Sequence, residues 1–112
     1  MTIKKLISLT LITLILFTFS FPSPALANPT SSQLFATNCA GCHPNGSNII
    51  RRGKNLKKKT LQKYKMDTQE AITEIITNGK NNMSAYKDRL SPEEIQQLAA
   101  YVLEQAEKDW RN

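Results

Sequence analysis

Apolar residues along this chain return with a helical period, and strand-like alternation is absent. The pattern is clearest near the end. Ile95, Leu98, Ala99, Val102, Leu103 and Ala106 form one stripe. Ser91 precedes it as a cap, Pro92 takes the first helical position, and Glu94 completes a capping box. Upstream, Ala71, Ile72, Ile75 and Ile76 make a second apolar face. Asp67 is its expected cap, with Glu70 at the third helical position, and Asn78-Gly79 is its stop. A first helix carries Leu34 and Phe35, with Ser31 or Ser32 as cap. It is expected to run through residues 39–43 and end at the turn-rich Pro44-Asn45-Gly46-Ser47-Asn48. Residues 49–59 read as irregular. A short helix over 60–64 would turn Leu61 and Tyr64 inward. The prediction is an all-α domain without internal repeats.

The first residues form a different unit. Lys4 and Lys5 precede an apolar run from Leu6 to Phe21, followed by Pro22, Pro24 and Ala25-Leu26-Ala27. A basic start, an apolar middle and an A-x-A site predict a signal peptide over 1–27, cleaved after Ala27. The run is shorter than the roughly 20 residues a membrane anchor needs. The mature chain is then one domain, 28–112, with no segment apolar enough to span a membrane. A domain this small buries a modest core and benefits from a staple.

Both cysteines and the only histidine of the chain fall in one pentapeptide, Cys39-Ala40-Gly41-Cys42-His43. The spacing C-x-x-C-H reads as a haem c attachment site. Cys39 and Cys42 can each add to a porphyrin vinyl group, and His43 then lies under the iron. Zinc would need a fourth ligand, and no acid lies near in sequence. A thioredoxin-like pair would need a βαβ setting. A plain disulfide is the remaining alternative in an exported protein. A covalent haem would also serve as the missing staple.

With His43 on one face of the iron, the other face needs a ligand, and methionine is the available type. Met66 precedes a helix start and is expected to pack in the core. Met83 stands alone in a polar loop, Asn81-Asn82-Met83-Ser84-Ala85-Tyr86. Ligation through the thioether explains that placement, and Met/His ligation suits electron transfer.

The net charge of +6 is unevenly spread. Arg51, Arg52, Lys54, Lys57, Lys58, Lys59, Lys63 and Lys65 lie together with no acid between Arg51 and Lys65, whereas acids crowd residues 88–109. An exported protein without a nucleic-acid motif points instead to partners with acidic docking surfaces.

The mature chain resembles cytochrome c6, a class I cytochrome c of cyanobacterial and algal thylakoid lumens. The resemblance rests on Asn38 to His43, Leu56-Lys57-Lys58, Glu70-Ala71-Ile72-Thr73, Thr77-Asn78-Gly79-Lys80-Asn81, Met83, Arg89-Leu90-Ser91 and Ala99-Ala100-Tyr101-Val102-Leu103. It implies about four helices around one covalent haem c, with the first and last helices crossing beside it. It implies Cys39 and Cys42 as thioether links, His43 and Met83 as axial ligands, and one exposed haem edge. It implies a shuttle between cytochrome b6f and photosystem I or a terminal oxidase, and Arg89 matches a docking arginine. A monomer in the thylakoid lumen or periplasm is the separate expectation for the exported chain. Four positions depart from the family pattern. Ser84 stands for a proline and Tyr86 for a phenylalanine soon after it. Ser31 and Lys65 each stand for a glycine, and Ile75 replaces a glutamine near the haem. The last places the chain nearer a lower-potential, cytochrome c6-like group.

The expected function is therefore electron carriage without substrate chemistry. A haem-based sensor with a labile Met83 is the rival, motivated by the altered loop. A peroxidase-like enzyme is weaker still, because no second histidine exists to assist.

Overall fold

The computed structural model describes residues 2–7 and 28–111. The expected cleavage site and most of the apolar leader lie outside the described residues. Residues 3–7 are helical. Four α-helices follow: α1 (Ser31–Asn38), α2 (Lys58–Lys63), α3 (Gln69–Asn78) and α4 (Pro92–Glu107). Short 3-10 turns occupy Pro44–Gly46 and Arg52–Lys54. Among the described residues the only β-type pairing is an isolated bridge between Lys80 and Met83. No helix among them is long and apolar enough to cross a membrane.

The helix starts show how capping selects a residue. Thr30, not Ser31 or Ser32, caps α1. Its hydroxyl accepts from the Gln33 N–H, and the Gln33 side chain accepts from the Thr30 N–H. Only Thr30 has a glutamine three positions on, so only Thr30 completes the reciprocal pair. Similarly Thr68, not Asp67, caps α3, accepting from Ala71 N–H at 3.2 Å. For α4 the expectation holds in full: Ser91 and Glu94 form the box, with Pro92 in the first turn.

α1 is shorter than its sequence suggests. It stops at Asn38, so residues 39–43 are not helical continuation but a turn. The N–H groups of Cys39 and Ala40 both donate to the Phe35 carbonyl, and those of Cys42 and His43 to the Cys39 carbonyl. The chain winds tightly there and delivers the motif beside the core. α2 begins at Lys58, earlier than expected. Leu61 is buried, and Tyr64 is 38% exposed while still lining the hollow beside the core. The Lys54 ammonium lies 3.3 Å from its ring centroid, an attraction that favours a half-wet ring.

α4 packs against α3 and α1. Leu98 and Ala99 are fully buried at its centre, with Ile95, Val102 and Ala106 beside them. Leu103 is only half-buried. Against α4 lie Leu34, Phe35, Leu61, Ile72 and Ile76. Burying each such large side chain contributes about 1.5–3 kcal/mol. Phe35 also meets Tyr101 and Trp110, at centroid separations of 5.4 and 5.0 Å. The core thus closes one side of a hollow whose other walls are loops.

Candidate haem site

The hollow is a cavity of about 340 Å³, within the range of cofactor sites. Its floor is apolar, with Phe35, Leu61, Ile72, Ile76, Leu98 and Val102. Cys39, Cys42, His43 and Met83 all line it. Met66, expected in the core, packs against the core and lines the cavity too. Ile75 is half-buried on the same wall.

His43 is held by its own turn. Its Nδ1 lies 2.8 Å from the Ser47 carbonyl oxygen. A carbonyl can only accept, so Nδ1 carries the proton and donates. The Nε2 lone pair is left free for a metal, with the ring orientation fixed. The turn exists because Asn45 and Gly46 adopt φ of 51° and 74°. Asn48 stiffens the next stretch: its Oδ1 accepts from the N–H groups of Ile50 and Arg51, and its Nδ2 donates to the Lys54 carbonyl.

Cys39 and Cys42 are both free thiols here, not a disulfide. Burial, and then the neighbouring Cys42, pushes the Cys39 thiol up to about 11. Among the described residues no group of three or more His, Cys, Asp and Glu side chains is arranged to hold a metal ion by itself.

Met83 is presented by a tight turn. Lys80 and Met83 exchange backbone hydrogen bonds of 3.0 Å, with Asn81 at φ 53°. The α3 stop makes room: a Cβ on Gly79 would lie 2.5 Å from the Met83 carbonyl oxygen.

The charged lining suits a haem. Among the described residues Arg51, Lys54 and Lys80 reach the cavity and no carboxylate does. An apolar disc with anionic propionates matches an apolar floor with a cationic margin. The basic cluster itself is partly committed. Lys57 pairs with Asp109 at 3.4 Å and Lys58 with Glu107 at 2.8 Å. Lys54 and Lys63 both approach the Tyr64 ring. Arg51, Arg52, Lys59 and Lys65 are exposed. Tyr86 is a site residue the sequence reading did not assign: it lines the cavity, its hydroxyl donates to the Asn38 carbonyl, and Arg89 lies over its ring at 4.2 Å. Its only signal in the sequence is the added hydroxyl.

Four helices around an apolar cavity, with both thiols and the imidazole of a C-x-x-C-H turn on its wall, define a class I c-type cytochrome. The family model described as cytochrome c oxidase, cbb3-type, subunit III matches residues 27–102. A cytochrome c6-like protein of Nostoc sp. (strain PCC 7120) is 63% identical over 110 residues, covering 96% of this chain and 99% of that protein. A cytochrome c6 of the same strain is 50% identical over 110 residues, covering 96% of this chain and 99% of that protein. The crystal structure of cytochrome c6C from Synechococcus sp. PCC 7002 superposes with a TM-score of 0.70 at 55% identity, covering 71% of this chain and 98% of that one.

The chain belongs to the cytochrome c6 family. It is a monohaem electron carrier with one covalently bound haem c.

Proposed function

We propose that Cys39 and Cys42 form the two thioether links, that His43 Nε2 and the Met83 sulfur are the axial ligands, and that residues 28–112 are the mature domain. The observation that carries this is the convergence of all four side chains on one acid-free, apolar cavity. When bound, haem supplies a one-electron couple at iron. The chain's residues keep it a carrier. Ser47 fixes the His43 tautomer, the Lys80–Met83 turn presents the thioether, and Ile72, Ile76, Leu98 and Val102 exclude water. Ligands that stay on both faces through the redox cycle would keep reorganisation small. The leader supports export to a thylakoid lumen or periplasm. The exposed Arg51, Arg52, Lys59 and Lys65, with Arg89, would steer the protein to acidic surfaces. Cytochrome b6f as donor, and photosystem I or a terminal oxidase as acceptor, fit that requirement, and a monomer suffices for transient docking.

Mass and spectroscopy test the reading. The mature protein should weigh one haem more than residues 28–112, and acid-acetone should not extract the colour. The ferric protein should show the weak far-red band of iron–thioether ligation. Met83→Ala should abolish that band while Met66→Ala leaves it. Removable haem would defeat the attachment, and a band surviving in Met83→Ala would move the ligand to Met66. Rapid carbon monoxide binding by the reduced protein would favour a sensor over a carrier.

A further inference from the structure

The loop carrying Met83 is unevenly secured. α3 ends at Gly79, whose N–H donates to the Ile75 carbonyl at 2.8 Å. Lys80 and Met83 then close their turn. Beyond Met83 the chain slackens: among the described residues no hydrogen bond is made by Ser84 or Ala85. Tyr86 is the next anchor. Its N–H donates to the Ile76 carbonyl at 2.9 Å, and its carbonyl accepts from Arg89 and Leu90. These bonds tie it to α3 and to the start of the next turn.

The Tyr86 side chain makes a different connection. Its hydroxyl donates to the Asn38 carbonyl at 2.9 Å, between residues 48 apart in sequence. Asn38 is the last residue of α1 and immediately precedes Cys39. A carbonyl in the last turn of a helix has no partner inside the helix and needs one from outside. The bond therefore runs from the segment that carries Met83 to the segment that carries Cys39. Arg89 lies over the Tyr86 ring and helps to hold it in place.

We propose that Tyr86 is a positioning residue whose hydroxyl tethers the Met83 loop to the end of α1, and so sets how often the iron's sixth position opens. The ligand half of this statement rests on Met83 ligation as proposed above; the tether half does not. Losing one ordinary, part-buried hydrogen bond shifts an opening equilibrium by about fivefold. The slack at Ser84 and Ala85 makes this loop the place where that shift is felt.

The test uses the haem-loaded protein and Tyr86→Phe, which keeps the ring and removes the bond. Tyr101→Phe, the same change at a ring that packs on Phe35 away from the cavity lining, is the control. Hydrogen exchange at the Met83 and Tyr86 amides reads the tether, and the rate of imidazole binding to the ferric protein reads its consequence at iron. Both are expected to rise about fivefold in Tyr86→Phe and to stay unchanged in Tyr101→Phe. Unchanged exchange in Tyr86→Phe overturns the proposal. Faster exchange with an unchanged imidazole rate overturns the ligand half if the wild type shows the far-red band. Without that band, the same result reports failure of Met83 ligation and leaves the tether supported. Should Tyr86→Phe not load haem, NMR of the wild type decides. A slowly exchanging Tyr86 hydroxyl proton near the Cys39 amide supports the tether, and a freely exchanging one overturns it.

Discussion

The Trp110 indole occupies the space that a side chain at Gly46 would need. A Cβ built on Gly46 would collide with the Trp110 indole at Nε1, and the φ of Gly46 is 74°. Nε1 also donates to the Leu56 carbonyl at 3.0 Å, while the Leu56 N–H donates to the Gly46 carbonyl at 2.7 Å. The end of the chain is thereby locked to the loop that follows His43. Gly46→Ala is expected to destabilise the holoprotein by about 2–4 kcal/mol, from backbone strain and overpacking together. Denaturant titration checks this, and a loss below about 0.5 kcal/mol would mean that the indole moves aside freely.

Lys65 sits at φ 55° with its N–H on the Gln62 carbonyl, a left-handed end to α2 that costs a non-glycine residue. Lys65→Gly should raise stability by about 1 kcal/mol, seen as a higher unfolding midpoint. It should also slow reaction with an acidic partner at low salt, because an exposed cation is lost. A variant that is less stable would show that the lysine stem contributes more packing than its backbone strain takes away.

Electron transfer to an acidic partner should slow as salt rises, since exposed charges are screened beyond roughly 10 Å at 0.1 M. The residues should not count equally. Neutralising Arg52 or Lys59 should weaken the salt dependence more than neutralising Lys57 or Lys58, which already face Asp109 and Glu107. Stopped-flow rates across a salt series check this. Equal effects at all four positions would show that the two ion pairs open on docking.

Ile75 places an apolar side chain on the cavity wall. An amide there would direct a dipole at the porphyrin or the ligand sulfur, and such dipoles tune redox centres. Ile75→Gln should therefore raise the potential in a potentiometric titration, with the far-red band retained. Apolar burial pulls the other way by disfavouring the charge of ferric iron, but a largely enclosed haem changes little in that respect. An unchanged or lower potential would defeat the assignment.

What the sequence made legible follows the range of the interaction. The start of α4 and the stop of α3 could be read directly, because Ser91, Pro92, Glu94 and Gly79 act within one turn of themselves. The two misplaced caps were local as well, but they turned on which of several neighbouring polar residues takes extended backbone. Thr68 does so at φ −122° and ψ 152°. The cavity residues were visible as types, since Cys39, Cys42, His43 and Met83 stand out in the sequence and all line the cavity. The partners that hold the site were not. Trp110 meets Leu56, and Tyr86 meets Asn38, across about half the chain. Tyr64 looked like core until Lys54 was brought over its face.

The seat of Trp110 has an optical consequence. It is the only tryptophan in the chain, and it lies on Gly46, whose N–H bonds to the His43 carbonyl. A porphyrin held beside that turn would drain the indole's emission, because the two chromophores overlap in energy and sit close together. Lifting the last helix would separate them and let the light return. The molecule carries its own gauge of whether its final helix is docked, with no label added.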